Sequence, residues 1–158
     1  MREIVLARRC YADRDEGRFP NCLKFRRKQL LFWDACSAKE FAYNIVGVLR
    51  WDKRLTAVRF SEAGDFRHQQ DVDKMTRVFS IVKEKFPDIK IYGYTSRSDL
   101  DFKELMKYAV VQGSGFMLSN CFKVVRKIDK SKAYCNDDCR TCNLCQFANG
   151  LKIQVLLK

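Results

Sequence analysis

Apolar positions in this chain recur first at helical spacing and then in alternating runs. Leu23, Leu30 and Leu31 return at helical intervals with Arg26, Arg27 and Lys28 on the polar side, predicting a basic amphipathic helix over 23–34. A second helix is expected from Ser37, an N-cap residue with Glu40 as its capping-box partner, carrying a stripe of Phe41, Ile45, Val48 and Leu49. Residues 55–60 and 89–95 read as strands. Between them Val72, Met75, Val78, Phe79 and Val82 mark a helix over 70–85 that Pro87 ends. A short helix from about Asp101 to Tyr108 is expected to precede Val110-Val111, with Phe116-Met117-Leu118 as a further strand and 151–157 as the last. Residues 1–22 read as a short apolar start and an irregular loop over 13–20.

The β-α-β-α-β order implies right-handed crossovers and a parallel sheet. A complete eight-fold barrel takes about 250 residues. With 158 residues the expectation is one α/β domain over 1–158, either a partial TIM-barrel-like fold or a small open parallel sheet. Functional loops of such sheets lie at the carboxyl ends of the strands, here Ser61–Phe66, Thr95–Asp99 and Ser119–Cys121. Asp65, behind the flexible Gly64, can accept hydrogen bonds from an amine or hydroxyl, or simply cap its own turn. Arg97 can clamp a phosphate or carboxylate, or pair with Asp99 or Asp101. With Asn120 these form the catalytic candidates. His68 reads as a solvated loop residue and Cys121 as a packed thiol.

Charge adds a second theme. Thirty-one Lys and Arg face 19 Asp and Glu, a formal charge of +12, and such a field attracts polyanions. Two basic groups stand out: Arg26, Arg27 and Lys28, and a second led by Lys123, Arg126 and Lys127 and continued by Lys130 and Lys132. Nucleic acid, an acidic protein or a virion component is therefore an expected partner, with Phe122 and Tyr134 as stacking candidates. A hydrophobic share of 47% with 12 Phe excludes a disordered chain. No apolar run reaches the roughly 18–20 residues of a membrane span, and the start is too charged for a secretory signal, so a cytoplasmic protein is expected.

Eight cysteines in such a chain suit metal ligation or packed thiols better than disulfides. Cys10 and Cys22 flank a charged loop and read as isolated thiols. Cys135, Cys139, Cys142 and Cys145 instead form a C-x3-C-x2-C-x2-C loop within 134–146. A tetrahedral zinc site usually takes two ligands from each of two knuckles separated by an insert, which this loop lacks. A cubane [4Fe–4S] cluster presents iron corners that one loop can wrap, and is the expected cofactor, with zinc as the alternative. Cys135, Cys139 and Cys142 alone spell the triad of radical-SAM enzymes. Cys145 would close the iron corner left open in those enzymes, and their triad follows the first barrel strand. Closed coordination suits electron transfer, sensing or structure. No P-loop or dinucleotide-binding glycine signature is present, and no reaction is assigned.

Cys10-Tyr11-Ala12, the run Arg59 to Phe66, the run Tyr92 to Ser98 and the terminal four-Cys loop together resemble the phage "gene product 88"-like family. The resemblance is expected to run from about Cys10 to Cys145. It implies an α/β, barrel-like fold and a cysteine-bound cluster, in proteins of phages and mobile elements with no firmly assigned activity. This chain lacks the extra cysteines often found before the Cys-Tyr-Ala element, and it is short.

Overall fold

Five short apolar runs form strands, β1 (Ala57–Phe60), β2 (Lys90–Thr95), β3 (Val110–Ser114), β4 (Asn120–Val125) and β5 (Lys152–Leu156). They pair in chain order, every pair parallel, as an open sheet β1-β2-β3-β4-β5. Four α-helices are present among the described residues: α1 (Tyr11–Arg18), α2 (Cys22–Ala35), α3 (Ala38–Trp51) and α4 (Gln69–Lys85). The computed structural model describes residues 11–61, 64–136, 138 and 141–156, for 11–14 the backbone alone. Of the two expected architectures, the open parallel sheet is the one observed.

The chain divides into two compact units, Met1–Ser37 and Ala38–Lys158. In the first, α1 occupies much of the span expected as an irregular loop, while residues 1–10 lie outside the described ones. Arg26 of α2 pairs with Glu16 of α1 at 2.9 Å. The second unit carries the sheet.

Alternation along each strand sorts the side chains onto two faces. Phe60, Ile91, Gly93, Val111, Gly113 and Cys121 share the first face, because their positions are in register. The Phe79 ring of α4 lies 5.2 Å from that of Phe60, and Phe66 and Phe102 extend the cluster. Gly93 is required there, since a Cβ would meet the Phe60 ring at 2.5 Å. α4 buries Val72, Val78, Phe79 and Val82, and α3 packs on it through Ala42, Val46 and Leu49. The stripe of α3 is thus rotated one position from the expected one. Small Ala42 faces inward and Val48 is left exposed, because the close approach of two helices favours a small side chain at the contact.

The expected helix over 101–108 is only a 3-10 turn at Leu105–Lys107. Phe116-Met117-Leu118 is not a strand. It belongs to a five-residue connection between the parallel strands β3 and β4. Such a link normally takes a dozen residues or more. This one fits because the Phe116 carbonyl crosses directly over Gly113, where any Cβ would collide with it. Gly115 turns the chain with φ 87°. Strand β4 therefore begins at Asn120, so Ser119–Cys121 lies at its amino end, and the carboxyl-end position expected for it is corrected.

Candidate metal centre

The second sheet face is polar where the first is apolar. It carries Arg59, Tyr92, Tyr94, Gln112, Asn120, Phe122 and Ile153, and the segment after β4 covers it. That segment first runs outward past β5. There Asp129 exchanges two hydrogen bonds with the Gln154 side chain, and Tyr134 forms a parallel bridge to Gln154. It then returns across the second face to enter β5. Outward and return paths run in opposite senses along the sheet, so right-handed crossovers carry them over opposite faces.

The returning arm is the cysteine loop. The Cys135 amide donates to the Gln154 carbonyl at 2.8 Å, and the Cys142 amide to the Asp138 carbonyl at 2.9 Å. Gln112 Nε2 donates to the Cys145 carbonyl at 2.9 Å. Asn120 Nδ2 donates to the Phe147 carbonyl at 2.7 Å, and Asn120 Oδ1 accepts from the amides of Asn149 and Leu151. Gln112 and Asn120 are both 0% exposed, and at such depth a polar side chain must be bonded to be tolerated. Gln112 Oε1 nevertheless has no hydrogen-bond partner among the described residues.

Tyr94 stands beside Gln112 in the register and reaches the same residue of the loop. The Cys145 side chain is among the groups that perturb its phenol. Burial first, and the neighbouring Cys145 side chain second, push the phenol well above its ordinary value of 10.0. The ring is fixed by Phe122 at 5.0 Å, Tyr92 edge-on at 6.4 Å and the Arg59 guanidinium at 4.9 Å. Lys90 lies 4.9 Å from the Phe147 ring at the rim of the loop.

Cys135, Cys142 and Cys145 are half-buried thiols, and Cys139 lies outside the described residues. Among the described residues no three ligating side chains are gathered into a ready-made site. The donor set still fits a metal that prefers sulfur. The described candidate ligands are all thiols, and the loop is tied to the sheet by its backbone.

The catalytic candidates are distributed differently. Asp65 and Arg97 share a latch at the carboxyl ends of β1 and β2. Asp65 accepts from the hydroxyls of Thr95 and Ser96 at 2.7 and 2.8 Å and from two backbone amides. Arg97 grips Asp99 with two bonds and donates to the carbonyls of Phe66 and Arg67. Asn120 is on the other face and serves the cysteine loop. His68 is exposed and Cys121 is buried with its sulfur 3.7 Å from the Phe122 carbonyl, as expected of each. Arg27 and Lys28 are exposed on α2. Lys123, Arg126 and Lys127 are exposed at β4 and just beyond it, with no ion pair among the described residues.

Tyr94 and Gln112 were not among the sequence candidates. A signal for Gln112 did exist, because it is a lone amide in the otherwise apolar run Val110-Val111-Gln112. For Tyr94 none was present, since an alternating Tyr92/Tyr94 pair reads as ordinary strand packing.

Residues 3–114 match the sequence pattern of the family described as gene product 88. The chain belongs to the gene product 88 family. The match ends at Ser114, the last residue of β3, and not near Cys145 as the resemblance suggested. It thus spans the four helices and the first three strands. The cysteine loop lies beyond it and rests on its own residues. No curated protein and no solved structure matches the chain.

Proposed function

We propose that this member of the gene product 88 family is an iron–sulfur protein in which Cys135, Cys139, Cys142 and Cys145 hold a [4Fe–4S] cluster. The observation that carries the reading is the placement of the loop. Its thiol segment is laid over a sheet face whose buried side-chain amides of Gln112 and Asn120 hold its backbone. A cluster bound there supplies one-electron redox chemistry and fixes the loop. The chain's own residues hold the loop to the sheet through Gln112 and Asn120. Metal binding that draws the thiols together is also folding energy for β5, which follows directly in the chain.

Anaerobic purification followed by iron, sulfide and zinc analysis with a visible spectrum tests this. About four iron and four sulfide per chain, with broad absorption near roughly 400 nm, are expected. About one zinc with no sulfide would overturn the cluster and leave a structural zinc site made of the same four thiolates.

A second reading, a basic module that holds nucleic acid or an acidic partner, is favoured by the exposed Lys123, Arg126 and Lys127. It predicts binding to duplex DNA that weakens steeply with salt, and further when these three are changed to Gln. Binding that is absent at low ionic strength rejects it.

A further inference from the structure

Helix α3 carries apolar side chains on two sides, and the chain's own core uses one of them. Ala42, Val46 and Leu49 are buried where α3 packs on α4. On the side turned away from α4, Tyr43, Gly47 and Trp51 recur every fourth residue, and all three are exposed, Trp51 at 87%. Val48 beside them is exposed as well. A tryptophan so little covered contributes nothing to the core. Gly47 has no use inside the chain either. A Cβ there would meet nothing within 4 Å, although glycine is unfavourable in the middle of a helix. What a glycine offers is a place where a second helix can approach the backbone closely. The rings of Tyr43 and Trp51 stand one turn to either side of it.

We infer that the outer face of α3 is a self-association surface, on which a second copy of this chain docks by an antiparallel crossing of the two α3 helices at Gly47. The order of residues around Gly47 selects this occupant. A two-fold crossing at one position pairs residues that lie equally far before and after it. About Gly47 it sets Tyr43 of one copy against Trp51 of the other, and Asn44 against Arg50. It also brings Glu40, in the first turn, to the basic end made by Arg50, Lys53 and Arg54. Within one chain Arg54 is engaged by Asp52, while Arg50 and Lys53 are exposed. The antiparallel sense additionally sets each helix dipole against the opposite end of its partner. One helix face per copy is small beside the roughly 1,200–2,000 Å² of a standard interface, so the dimer is expected to be weak. The inference does not depend on what the cysteine loop binds.

Sedimentation velocity on the nuclease-treated full chain, from about 10 to about 500 µM, tests this. The sedimentation coefficient should move with concentration from that of one chain toward that of two. Trp51→Glu and Gly47→Gln, both at open positions, should each raise the dissociation constant at least about tenfold with an unchanged circular dichroism spectrum. Val124→Glu, at an exposed apolar position on β4, should leave it unchanged. With Tyr43 replaced by the photoreactive benzoylphenylalanine, irradiation should join the two copies at or next to Trp51, a readout that needs neither of the other variants to fold. A single chain at every concentration overturns the inference. So does a dimer that tolerates both substitutions, or one whose cross-links fall outside α3 and the residues just after it. Association that nuclease abolishes and single-stranded DNA restores also overturns it, because the exposed rings would then be stacking on bases.

Discussion

The two faces of the sheet are closed by different physics. On the first, Phe60, Phe66, Phe79 and Phe102 meet helix α4 in an apolar cluster with no polar bond needed to hold it. On the second, a loop whose described residues form one 3-10 turn, Leu144–Gln146, is held by Gln112 and Asn120. Apolar burial is non-directional and closes the first face unaided. The second face is closed by directional bonds whose net worth is small, about 1 kcal/mol each, so it gains most from a cross-link that ties the thiols together. The first face builds the fold; the second is where chemistry can be added to it.

Breaking the first face should cost the most. Phe79→Ala removes a ring that is 1% exposed and is expected to lower stability by about 3–5 kcal/mol, read from the denaturant midpoint. Metal content per folded chain should not change. A loss of metal in chains that remain folded would show that the faces are not separable.

Asn120→Ala attacks the second face. It strips the bonds to Phe147, Asn149 and Leu151 and is expected to cost about 2–3 kcal/mol, with faster proteolysis confined to 135–149. An unchanged cleavage pattern would mean that the polar closure does not hold the loop.

The smallest effect belongs to the latch between the β1 and β2 loops. The Arg97 guanidinium holds the Asp99 carboxyl down to about 2, against an ordinary 3.8. Its contribution is therefore complete above the ordinary value and is lost as pH falls through about 2. Asp99→Asn should flatten the acid end of the stability profile slightly and leave the profile above pH ~5 unchanged in shape. A new pH dependence above that point would show that a different group carries the titration.

The same contrast explains what could be read from the sequence. Helices α2, α3 and α4 and strands β1 and β2 were legible because apolar periodicity reports the face they bury. Missing from that signal was β4. Its run Asn120-Cys121-Phe122-Lys123 mixes polar and apolar residues, since Asn120 is buried under the loop on one face, Cys121 is buried on the other, and Lys123 reaches solvent. The spacing of Phe116-Met117-Leu118 looked like a strand, yet these residues cross over Gly113. The four cysteines stand out by spacing alone, whereas Gln112 emerges only once the fold sets it beneath the Cys145 carbonyl, with Tyr94 beside it in the register.

The most direct test of the proposed metal centre is amide hydrogen exchange on the chain before and after treatment with a metal chelator. The account predicts that removal unprotects residues 135–149 and the start of β5, while α4, β1 and β2 keep their protection. A loop equally protected in the metal-free chain would contradict it, because the second face would then close without the cross-link.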